Sequence, residues 1–122
     1  ELDDLYDLRV LLEYSDVNIN MCSTMSLDFM LFDKPVVNTA FGNSENGLYN
    51  DQRFLKYVHY DYVVKSNAVT ISKNEKELHT HLKEALIEPE LRKKERKTLL
   101  DFEIGAPLEG TSKRIVEVLK TL

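Results

Sequence analysis

Residues 17–41, VNINMCSTMSLDFMLFDKPVVNTAF, constrain the fold more than any other stretch, because their pattern changes from strand to helix and back. Val17, Ile19 and Met21 alternate with Asn18 and Asn20, which predicts a short strand whose every second side chain, Val17, Ile19 and Met21, enters a core. Cys22, Ser23 and Thr24 end it in a polar turn. Residues 25–32 carry no Gly or Pro and many good helix formers, and Asp33-Lys34-Pro35 stops them before a second extended apolar run at 35–41. The unit is strand, hydroxyl-bearing turn, short helix, strand.

Such a crossover has a chemical use. The first free backbone N–H groups of the helix point over the carboxyl end of the strand, where the helix dipole favours an anion and open α/β sheets bind ligands. Ser23 and Thr24 are candidate N-caps there. Asp28, four residues after Thr24, is expected on the same helix face about 6 Å away. A phosphate held at the turn would leave a sugar hydroxyl within reach of the Asp28 carboxylate. The same residues also read as plain caps with an acidic side chain complementing the dipole. No glycine-rich loop of dinucleotide or P-loop type is present, so local chemistry points to an anion site and leaves its ligand open.

The run STMSLDFMLFDKPVV resembles the donor-site segment of glycosyltransferases with two facing Rossmann-like domains, the GT-B fold. It is most similar to the capsule-polysaccharide and CDP-glycerol glycerophosphotransferase type. The resemblance implies that Ser23 and Thr24 hold the phosphates of a nucleotide-activated sugar or polyol phosphate. It also implies that Asp28, where the family usually has Glu, bonds the ribose. Phe29 and Asp33 stand where the family usually has a small residue and a Gly. His59-Tyr60 through Ser66 to Val69 resembles a second family segment, which makes His59 a candidate phosphate or base contact; Ser26 is a further candidate donor contact. Residues 110–115, GTSKRI, resemble the start of the family's last helix.

The implied protein is a cytoplasmic transferase building surface polysaccharide. This chain would then be the latter part of its C-terminal domain, inactive alone, with the acceptor domain and the catalytic base elsewhere. That the first residue is Glu fits the same expectation of a piece of a longer protein. A sugar-nucleotide 2-epimerase is an alternative, although similar epimerases carry Ser-Gly-Gly where this chain has Ser23-Thr24-Met25. A non-enzymatic, helix-rich interaction domain, with Ser23 and Thr24 as caps only, is another.

The chain's 122 residues suit one domain that buries roughly 65% of its unfolded surface. No apolar run of about 18 residues exists to span a membrane, and the start ELDDLYD lacks the features of a signal peptide. The single Cys allows no internal disulfide, so a reducing cytoplasm is expected; Cys22 reads as a structural thiol, with no paired His in sequence. Net charge is −5, divided as −7 over residues 1–61 (11 acidic, 4 basic) and +2 over 62–122 (10 acidic, 12 basic). The acidic total argues against a nucleic-acid partner. No cofactor or metal is expected, since His79 and His81 fall on different helix faces and both read as surface residues.

The remaining elements follow from periodicity. A first helix to Tyr14 is capped at Asp3-Asp4 and has Leu5, Leu8, Leu11 and Leu12 as its stripe. A glycine-bounded loop at 42–47 is a candidate lid or a simple connection. A short helix at 50–60 turns Phe54, Leu55 and Val58 inward, and Val69-Thr70-Ile71 form a last strand. A helix at about 75–87 packs through Leu78, Leu82, Ala85 and Leu86. Another begins with Pro89 at its first position, the run Arg92-Lys93-Lys94-Glu95-Arg96-Lys97 being its solvated face. Thr111 caps a closing helix with Ile115, Val116, Val118, Leu119 and Leu122 inward. The expected whole is a partial Rossmann-like α/β domain, three short mainly parallel strands with about six helices. Its missing strands should leave an exposed edge or apolar patch and cause self-association.

Overall fold

The computed structural model describes residues 2–42, 52–105 and 107–122. Helix α1 (Leu2–Tyr14) leads into strand β1 (Asn18–Asn20), helix α2 (Met25–Leu31) and strand β2 (Val36–Thr39). Two 3₁₀ turns (Arg53–Lys56 and Val58–Tyr60) precede helix α3 (Asp61–Lys65), strand β3 (Thr70–Ser72) and helices α4 (Glu75–Ile87), α5 (Lys93–Glu103) and α6 (Thr111–Leu119). The strands form one parallel sheet in the order β1-β2-β3, with Asn20 beside Asn38 and Thr39 beside Ser72. This is an α/β arrangement of three parallel strands and six helices, compatible with a partial Rossmann-like fold, but the described part of the helix expected at 50–60 is instead the two 3₁₀ turns, and α3 was not expected. Most of the expected loop at 42–47 lies outside the described residues.

The central strand is the most apolar because both of its faces are covered. Val36 and Val37 are fully buried, and Phe29 and Met30 of α2 share their core with Val63, Val69 and Leu99. Helix α2 forms because residues 25–31 contain neither a breaker nor a β-branched side chain, and it buries Ser26, Phe29 and Met30 at i, i+3 and i+4. It ends in a paired turn: Lys34 N–H donates to the Phe29 carbonyl at 3.0 Å and Asp33 N–H to that of Met30 at 2.9 Å. Asp33 takes the left-handed conformation that this turn requires, at φ 56°.

Strand β1 corrects the sequence expectation, since its apolar side chains face outward. Ile19 and Met21 are 49% and 41% exposed, whereas Asn18 and Asn20 are half-buried. The reason is a hydrogen-bonded ring on the inner face. Asn20 Nδ2 donates to Ser26 Oγ (3.0 Å), which meets Tyr60 OH (2.9 Å); Tyr60 OH donates to Asn38 Oδ1 (2.9 Å), and Asn38 Nδ2 returns to Asn20 Oδ1 (2.9 Å). Asn18 Oδ1 also accepts from Asn20 Nδ2. Because strand side chains alternate, satisfying the two Asn side chains inside turns Ile19 and Met21 out, while Val17 ahead of the strand stays half-buried.

Other corrections share that origin in tertiary partners. Arg96, expected on a solvated face, is 2% exposed. Its Nη2 donates to Asp33 Oδ1 at 2.8 Å and to the Pro89 carbonyl at 3.0 Å, while Lys93 Nζ reaches Asp33 Oδ2 at 2.7 Å. Pro89 belongs to a turn ahead of α5 and does not open that helix. His81 is half-buried, its Nδ1 2.9 Å from Ser72 Oγ, so it joins α4 to β3. Val58 is exposed and Tyr60 takes the inward place beside Phe54. Leu5, Leu11, Leu86 and the entire apolar face of α6 are exposed.

Candidate functional site

Beyond the carboxyl end of β1 lies a cleft of about 250 Å³, walled by Cys22, Ser23, Thr24, Leu27, His59, Tyr60, Val63 and Glu103. Its first wall is the turn between β1 and α2. Ser23 Oγ accepts the Met25 N–H at 3.2 Å, the Ser23 carbonyl accepts from Ser26 N at 3.0 Å, and the Thr24 carbonyl accepts from Leu27 N at 2.8 Å. The opening amides of α2 are therefore already engaged, which corrects the expectation of free N–H groups aimed at an anion. Thr24 stands at the N-cap position without a side-chain cap bond, so its hydroxyl is available to a ligand.

The opposite wall comes from the 3₁₀ turn at Val58–Tyr60. His59 is exposed and stacks on Tyr57, their rings 5.5 Å apart and 24° from parallel. Tyr60 is buried, and burial pushes its phenol above the usual value even though its hydrogen bonds with Ser26, Asn38 and the Ser23 backbone partly offset this. The ring beneath the cleft thus ties three separate segments to the floor of the turn. Burial likewise pushes the Cys22 thiol up, which keeps it protonated and a poor nucleophile. Glu103, at the end of α5, brings a carboxylate to the rim.

Of the five site residues expected from sequence, Ser23, Thr24 and His59 meet in this cleft. Ser26 is fully buried below it, with its hydroxyl spent in the ring. Asp28 is half-buried one turn along α2, outside the cleft wall. Tyr60 and Glu103 were not foreseen as site residues. The Asn18, Asn20, Asn38 set was the available signal for the first, because amides at strand spacing inside an apolar pattern need a buried partner. Nothing local marks Glu103. Among the described residues no three His, Cys, Asp or Glu side chains group closely enough to hold a metal ion, and no helix is long and apolar enough to cross a membrane.

Comparison with known proteins adds no relative: no protein family, no curated protein and no solved structure matches this chain.

Proposed function

We propose that this chain is the donor-binding part of a transferase that takes a nucleotide-activated sugar or polyol phosphate, of the kind that builds surface polysaccharide, as a GT-B C-terminal domain would. The supporting observation is the meeting of Ser23, Thr24 and His59 in one cleft at the carboxyl end of a parallel sheet, the usual ligand position in open α/β folds. In this proposal the diphosphate rests on the Ser23 and Thr24 hydroxyls with His59 facing it, and not on free helix amides. The donor then runs along α2, bringing its ribose to Asp28, while Glu103 faces a hydroxyl-bearing part of the ligand. Hydroxyl donors at the diphosphate stabilise the charge that grows on the departing nucleotide, the electrostatic share of transfer catalysis. The acceptor site and the base belong to the remainder of the enzyme, so the chain alone catalyses nothing.

A backbone-amide NMR titration with UDP, CDP, GDP and inorganic phosphate tests this. Selective shifts of residues 22–28 and of His59 with one nucleoside diphosphate are expected, and would name the donor's base. In a transferase containing this chain, Ser23→Ala with Thr24→Ala should slow turnover by about 10²–10³; unchanged turnover would refute the assignment. The bond from Met25 N–H to Ser23 Oγ favours one rival, a turn that only caps its helix. A silent titration on both the chain and the transferase would establish that rival.

A further inference from the structure

The described walls of the cleft hold one carboxylate, that of Glu103, and neither Lys nor Arg. His59 is the wall side chain able to carry a positive charge near neutrality, whereas burial keeps the Cys22 thiol and the Tyr60 phenol protonated and neutral. The opening amides of α2 are engaged within their own turn. A diphosphate lying on Ser23 and Thr24 therefore meets little positive charge and one like charge, an arrangement that repels it.

Glu103 itself stands where a cation belongs. It is the last residue of α5, whose last turn carries no basic side chain, so its carboxylate adds to the negative end of the helix dipole. Asp101, two residues earlier, is held by Lys97 at 3.1 Å, but the exposed Glu103 carboxylate pairs with no described residue. One carboxylate does not cage an ion, and no cluster of three metal-ligating side chains exists among the described residues. Mg²⁺ suits such a site, because it keeps several waters and is held by one or two carboxylates together with the phosphate oxygens of a ligand. We propose that the cleft takes its diphosphate as the Mg²⁺ complex, with the Glu103 carboxylate as the protein's ligand to the ion. This rests on the reading of the cleft as a diphosphate site. A carboxylate has two oxygens, so one serves the ion while the other accepts the ligand hydroxyl. The ion removes the repulsion and places positive charge beside the phosphate that gains negative charge during transfer.

Amide titrations of the chain with UDP, CDP and GDP, each in excess Mg²⁺ and in EDTA, test this. Binding followed at residues 22–28 should be about tenfold tighter in Mg²⁺ for the nucleotide that is recognised. Glu103→Gln changes an exposed side chain and leaves the fold intact. It should bind more weakly than the natural chain in Mg²⁺ and more tightly in EDTA, where the like charge is gone, a reversal that a merely structural role would not produce. Mn²⁺ in place of Mg²⁺ should broaden the amides around Ser23 and Glu103 selectively, and only when the nucleotide is present. Equal affinity in Mg²⁺ and in EDTA would overturn the proposal and leave the diphosphate site standing. A gain from Mg²⁺ that Glu103→Gln retains in full would overturn it too, because the ion would then be a partner of the nucleotide alone. Silence of residues 22–28 in both buffers would overturn this proposal together with the donor reading.

Discussion

Asp33 shows how much one side chain can carry. It supplies the left-handed turn that ends α2, a conformation costing a non-glycine residue of order 1 kcal/mol. Its carboxylate also holds the buried Arg96 guanidinium and Lys93. Asp33→Gly would relieve the backbone and orphan the cation; the cation should win, with a net loss of about 2 kcal/mol by chemical denaturation, at the low end for a buried pair because Asp33 is 39% exposed. Burial raises the Asp33 carboxyl, but the hydrogen bonds and charges of Lys93 and Arg96 outweigh it and hold it below the ordinary value. The sign follows: its stabilisation is complete above the unfolded carboxylate pKa of about 3.9 and is lost as pH falls through the depressed folded value. The melting difference between the natural chain and Asp33→Asn should thus be flat near neutrality and narrow in acid. Tyr60→Phe removes one member of the closed ring, leaving Ser26 and Asn38 short of a partner. It should cost about 1–3 kcal/mol and move the Ser23 amide resonance. A stop after α2 was legible in Asp33-Lys34-Pro35, whereas the ion pair was not, because Arg96 lies 63 residues away.

At the level of elements, local rules worked wherever an element is stabilised by its own sequence. Asn74 caps α4 by accepting the Glu77 N–H at 2.9 Å, and Glu77 returns the contact by accepting the Lys73 N–H at 2.8 Å. Asn74→Ala should therefore lower stability by about 1 kcal/mol in a thermal or urea melt. The three strands, the α2 crossover and the start of α4 could all be read this way. Local rules failed for β1, where alternation named two faces and apolarity chose the wrong one. The choice rests with Asn38, Ser26 and Tyr60, which offer Asn20 partners that Ile19 does not need. They failed also for α1 and α6, whose stripes are real but lack a covering surface within the described chain.

For the molecule as a whole, the core is small and lies around β2, α2 and the segment from Phe54 to Val69, with Leu99 closing it. Helix α6 adds nothing buried, so removing residues 109–122 should change the unfolding free energy read from a urea melt by less than about 0.5 kcal/mol. The sequence by itself determined the α/β class, the order of elements and the hydroxyl turn, because these depend on breakers, caps and periodicity within a few residues of one another. Only the tertiary structure decided which face of β1 is inside, that Arg96 is buried, and that His59, Tyr60 and Glu103 join Ser23 and Thr24 around one cleft. The physical reason is the cost of an unsatisfied polar group: a pattern shows that a side chain has two possible faces, but the partner that makes one of them affordable is supplied from elsewhere in the chain.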